Sequence, residues 1–205
     1  MLPCAAALVL TLAGCDSARH VHAVAPSDLS AIGGPAPPLP ATGWHEDNVD
    51  DPTTFSLAYL RAHSETPDEK AALPVLEQAG FERGYQKAWI ADVATSGTSA
   101  QVILFRFRDS SGTSDVLTAF RRIIDESFAE ERSRPTHIDA SGLGEDAFGI
   151  HAVSGGHEVV YAWRSANVVA AVEMICFECD SAGRVRRLGR AYADAVDDRV
   201  EQASR

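Results

Sequence analysis

The chain has 205 residues, 45% of them hydrophobic, and a formal net charge of −11, enough material for one domain with its own core. So acidic a body repels nucleic-acid phosphates and anionic lipid headgroups alike, which excludes nucleic acid as a partner and broad electrostatic adhesion to a membrane. Arginine outnumbers lysine sixteen to two (Lys70 and Lys87), the usage of a GC-rich bacterial genome, and no cofactor is expected.

In chain order, residues 1–14 carry no charged side chain; the apolar run Ala5–Leu10 leads into Leu12-Ala13-Gly14-Cys15 and then polar Asp16-Ser17. A bilayer-spanning helix needs ~20 apolar residues, so Ala5–Ala13 is far too short to be one. Small residues ahead of a cysteine let a protease hold extended backbone closely, and the thiol can then receive a diacylglyceryl group. The stretch resembles the bacterial lipobox, although Met1-Leu2-Pro3 lacks the usual Lys or Arg. The resemblance implies a signal peptide over 1–14, lipidation at Cys15, and an extracytoplasmic address held at the cell membrane by that lipid. Residues 15–50 contain Pro26, Pro35, Pro37, Pro38, Pro40 and several glycines with little apolar periodicity. That composition predicts a flexible tether and puts the globular domain at 51–205. His20 and His22 on such a segment make a poor metal site, and no metal is expected.

From Asp51 onward, Thr53–His63 and Asp68–Ala79 read as short helices, the second with an acidic start, a proline at Pro74 expected to break or kink it, and Gly80 as a stop. The period then changes. Ala88–Ala94 and Gln101–Arg108 are strand-like, with Ile103, Phe105 and Phe107 on one face, while Arg106 and Arg108 are expected to bring the other face into water. Ser114–Glu131 carries Val116, Leu117, Phe120, Ile123, Ile124 and Phe128 at helical spacing. Ala147–Val153, His157–Arg164 and Val168–Ile175 read as three strands joined by tight turns, the last apolar on both faces and so the most central. Ser181–Val200 closes the chain as a helix with a stripe of Val185, Leu188, Tyr192, Val196 and Val200. Hairpin-plus-helix, then meander-plus-helix, predicts a single α+β domain: an antiparallel sheet with helices packed on one or both faces.

Gly142-Leu-Gly-Glu-Asp-Ala147 has the letters of a dinucleotide fingerprint. That motif requires a helix after it, whereas here a strand follows, and Glu145 and Asp146 would repel phosphate. The stretch reads as a turn. Together with Val159-Val-Tyr-Ala-Trp-Arg-Ser-Ala-Asn-Val-Val-Ala-Ala-Val172 and an Ala/Arg-rich last helix, it resembles exported domains of actinobacterial lipoproteins and ectodomains of membrane-anchored kinases. Those domains often carry GLGDEA followed by V-x-x-R-x-G-N-V-V-V; this chain has Glu-Asp for Asp-Glu, and Ala166 where glycine is usual. The resemblance spans roughly 70–200, implies an envelope protein of sensor-like or ligand-binding type, and carries no catalytic residues with it.

Besides Cys4 and Cys15 in the signal region, the cysteines are Cys176 and Cys179. Their C-x-x-C spacing between strand and helix fits a structural disulfide in an oxidising compartment, or a thiol–disulfide redox pair if Cys176 is exposed with a depressed pKa. Glu178 and Asp180 beside the pair would raise thiol pKa values and favour the disulfide. No G-x-S-x-G elbow is present. Arg184, Arg186, Arg187 and Arg190 form a local basic patch on the last helix, placed against the helix dipole and suited to an anion or a partner carboxylate. The function these features indicate is a lipid-anchored, non-catalytic domain that binds a protein partner or small-molecule ligand. The alternatives are a redox protein using Cys176 and Cys179, or a lipid carrier, which a deep apolar cavity between helices and sheet would distinguish.

Overall fold

Among the described residues every strand pairing is antiparallel, and the strands form one eight-stranded sheet ordered β1-β3-β4-β8-β7-β6-β5, with β2 also paired to β3. The strands are β1 (Trp44–Glu46), β2 (Thr54–Phe55), β3 (Phe81–Ala91), β4 (Thr98–Phe107), β5 (Thr136–Ile138), β6 (Glu145–Val153), β7 (His157–Ser165) and β8 (Val168–Cys176). The helices are α1 (Leu29–Gly33), α2 (Leu57–His63), α3 (Pro67–Gln78), α4 (Thr113–Glu130) and α5 (Ala182–Ala203). The computed structural model describes residues 22–38, 43–47, 53–91, 97–130, 135–153, 155–177, 179 and 181–205. Residues 1–14, read above as a signal peptide, and Cys15 lie outside the described residues. Among the described residues no helix is long and apolar enough to cross a membrane.

The sheet sorts its side chains by parity. Val168, Ala170, Val172 and Met174 of β8 face α1 and α5, whereas Val169 and Ala171 face the layer of α2, α3 and α4. Helices therefore cover both faces of a single α+β domain. The doubly apolar strand β8 lies between β4 and β7 at the centre of the sheet, as its composition predicts. On the α5 side, Val185, Leu188, Tyr192, Val196 and Val200 are all buried. Gly189 lets the helix settle closely onto the sheet, since a Cβ there would meet Val159 at 2.5 Å.

Helix α3 is fixed by a capping box: the Thr66 side chain accepts from the Glu69 N–H, and Glu69 accepts from the Thr66 N–H at 2.9 Å. The helix runs unbroken through Pro74 to Gln78, contrary to the expected break. Pro74 lies on the exposed side of the helix, where water can take the carbonyl that its ring leaves without a donor. Gly80, at φ 74°, supplies the expected stop. The strand signal begins earlier than its sequence suggests, because Phe81–Lys87 also belongs to β3, and Thr53–His63 divides into β2 and α2 at the Ser56 N-cap.

Two further expectations are corrected. The span 15–50 is not a tether throughout: a 3-10 turn at Pro26–Asp28 and α1 pack Val24, Leu29 and Ile32 into the core at 0–1% exposure, and β1 joins the sheet. Arg106 does not turn its strand face into water either. It is buried, its Nε donates to the Val24 carbonyl at 2.6 Å, and it pairs with Glu82. The two corrections share one cause, since the segment around Val24 roofs the face on which Arg106 sits.

Candidate functional site

A cavity of about 350 Å³ opens between the helical layer α2–α4 and the sheet. Leu60 of α2, Leu73 and Leu76 of α3, and Phe120 and Ile123 of α4 form its walls, with Phe105 of β4 and Val169 of β8 at the sheet side. The local sequence explains the hollow. Two short helices, α2 and α3, bounded by caps at Ser56 and Thr66 and by Gly80, share this face with α4 and cannot tile it as the single 22-residue helix α5 tiles the other. Phe120 and Ile124 are accordingly only partly buried, although both lie on the apolar stripe of α4.

Most polar groups at the rim are engaged within the protein. His63 stacks on Tyr59 with ring centroids 3.9 Å apart, and its Nδ1 lies 2.8 Å from the Tyr59 carbonyl. The Ser64 hydroxyl donates to the Leu60 carbonyl. The Glu69 carboxylate is held below its ordinary range by the backbone N–H of Thr66 and is committed to the cap. Gln86 of β3 brings a side-chain amide to the sheet side of the cavity. An apolar volume with few polar groups at its edge suits a largely hydrophobic molecule.

Cys176 and Cys179 are joined in a disulfide. Cys176 is completely buried, and the Thr98 hydroxyl lies 3.5 Å from its sulfur. Thiol–disulfide exchange needs a sulfur that an incoming thiolate can reach, a condition Cys176 does not meet in this conformation.

The arginine patch resolves into separate pieces. Arg190 donates to Asp194 at 2.8 Å and to the Ser141 carbonyl. Arg186 turns toward the sheet and lies 3.2 Å from Nδ1 of His151, which is 7% exposed. Because a guanidinium only donates, Nδ1 must accept, and Nε2–H of His151 then donates to Nδ1 of His157 at 3.2 Å. Burial, with Arg186 and His157 adding to it, lowers the His151 pKa and keeps the ring neutral. Arg184 and Arg187 have no carboxylate partner among the described residues.

The Gly142–Ala147 stretch is a structural joint. Gly142 has φ 85°, and a Cβ at Gly144 would meet the Arg164 carbonyl at 2.3 Å. Arg164 pairs with Glu145 and Asp146 at 2.7 Å each, and the Gly144 N–H donates to Asp197. Strand β6 starts at Glu145 where a nucleotide-binding helix would have to begin, so the turn reading holds.

The cavity carries no motif. Its lining comes from six separated elements, and the available signal was the breadth of the α4 stripe, with more apolar residues than one helix can bury alone. Among the described residues, no group of three or more metal-ligating side chains comes together.

Fold and cavity together define a three-layer α+β domain with an apolar cleft on one side of its sheet. No protein-family model matches the chain, and no curated protein matches it. Among solved structures, it is similar to the extracellular domain of PknH from Mycobacterium tuberculosis, with a TM-score of 0.43 and 11% identity over 88% of this chain and 93% of that one.

Proposed function

We propose that this chain is a non-catalytic, extracytoplasmic binding domain, held at the cell membrane by a lipid on Cys15, that takes an apolar small molecule into the cavity between α2–α4 and the sheet. The observation that carries the reading is the cavity itself, since a hollow lined by Leu60, Leu73, Phe105 and Phe120 is unfavourable unless something apolar fills it. The Cys176–Cys179 disulfide supports the compartment, because such bonds persist where thiols are not kept reduced. The resemblance of Leu12-Ala13-Gly14-Cys15 to a lipobox supports the anchor.

Intact mass of the membrane-extracted protein reads the anchor; acyl chains on an N-terminal Cys15 are expected, and an unmodified Met1 would refute it. Binding is read by titrating the neutral dye Nile red into the full chain carrying Cys15→Ser, which needs no detergent. Saturable fluorescence enhancement is expected. Ala119→Trp, which fills the cavity from α4, should abolish it while the thermal transition is kept. Equal enhancement by this variant would place the dye elsewhere and refute the site.

A further inference from the structure

A second cavity, about 250 Å³, lies beside the first beneath α4, and Phe120 lines both. Its walls are largely apolar, Ile103, Ile124, Phe128 and Ala171 among them, with Ser127 on α4 and two carboxyls on the sheet, Glu158 and Glu173. Glu173 stands on central strand β8, opposite Gln101 of β4 and Val160 of β7. Its carboxyl is pushed above the ordinary range by burial, with Glu158 hydrogen-bonded to it. Among the described residues, no basic side chain pairs with Glu173. A carboxyl at such a position is costly to desolvate, and an apolar residue would fill the space at no such cost.

We propose that the ligand is an amphiphilic amine, its apolar body in the first cavity and its ammonium end reaching Glu173 in the second once the Phe120 ring turns aside. The proposal rests on the reading of the first cavity given above. Two observations point to a cation, and a third to a route between the cavities. The acceptors that the sheet presents to the second cavity are carboxyl oxygens, which reject anionic headgroups. The whole molecule, at −11, concentrates cations around itself. Phe120 is half-buried and meets Phe105 edge-on at a centroid distance of 6.2 Å, so its ring can leave the partition without unpacking a closed core.

Displacement of Nile red from the full chain carrying Cys15→Ser, using dodecylamine, dodecanol and dodecanoate below their micellar concentrations, tests it. Dodecylamine should displace the dye at about tenfold lower concentration than dodecanol, as expected for one charge-assisted hydrogen bond, and dodecanoate should be the weakest. Glu173→Gln should bring the amine level with the alcohol and leave the alcohol unchanged. Glu158→Gln, a second variant should the first fail to fold, should narrow the same gap. Displacement by dodecanol with no preference for the amine, or a preference that survives Glu173→Gln, overturns the amine proposal and leaves the apolar site standing. Failure of all three to displace bound dye overturns both.

Discussion

At Ala166 the backbone takes φ 52°, a left-handed conformation that opposes its methyl group, at the first position of the two-residue turn joining Ser165 to Val168. Positive φ at this position of a two-residue hairpin turn favours glycine. Ala166→Gly should therefore stabilise the protein by about 0.5–1 kcal/mol, the relief of left-handed strain less glycine's added chain entropy, read as a Tm increase of roughly 1–4 °C. His151 gives a second prediction. Its folded pKa lies below the ordinary 6.5 through burial, Arg186 and His157, so the unfolded chain binds the proton more readily. The stability it supports is complete above about pH 6.5 and is lost as pH falls toward the folded value, at no more than about 1.4 kcal/mol per pH unit. Glu173, raised by burial, works in the opposite sense. The quantity to measure is thus the difference between wild type and His151→Gln from pH 7 to 5, and it should shrink with acidification; a difference that does not change with pH would show that His151 titrates normally.

At the scale of elements, the segment around Val24 is fastened by two side chains, Arg106 at its carbonyl and Asn167 at its N–H. Asn167 is 2% exposed; its Oδ1 accepts from the Val24 N–H at 2.7 Å and its Nδ2 donates to the Phe107 carbonyl at 2.7 Å. Asn167→Ala strands buried groups on two elements and should cost about 3 kcal/mol, a fall in Tm of roughly 6–12 °C. Limited proteolysis should then cut first near residues 22–28. This clasp also shows what could be read from the sequence. The stripes of α4 and α5, the three-strand meander and the central place of β8 are legible because each is set by a local period against one partner. Val24, Leu29 and Ile32 show no period, and their burial depends on Asn167 and Arg106, 143 and 82 residues from Val24 in the chain. Composition correctly registers the prolines of 15–50 but cannot report that apolar residues between them have somewhere to go. The cavity was illegible for the same reason, since it is a space left between elements, while the cysteine pair, three residues apart, was legible as a disulfide.

At the scale of the whole molecule, the two sides of the sheet are built differently. Toward α5 the core holds Trp163, Tyr192 and Met174 at essentially no exposure; toward α4 it holds both cavities and leaves Phe105 and Phe120 partly accessible. Amides of α2 and α3 should therefore exchange with deuterium faster than those of α5 in the native state, and bound ligand should slow the former selectively. Uniform exchange across all three helices would contradict this asymmetry.

The hydrogen bond from the His22 N–H to the Ser204 carbonyl, at 2.7 Å, closes the described chain into a near-ring. A short glycine-serine splice from Ser204 to His22, with new ends cut at the solvent-side turn near Gly155, would redraw the connectivity without crossing a strand or helix. Such a permutant should keep the wild-type circular dichroism spectrum and Nile red affinity, which would show that the pocket needs nothing from residues 1–21.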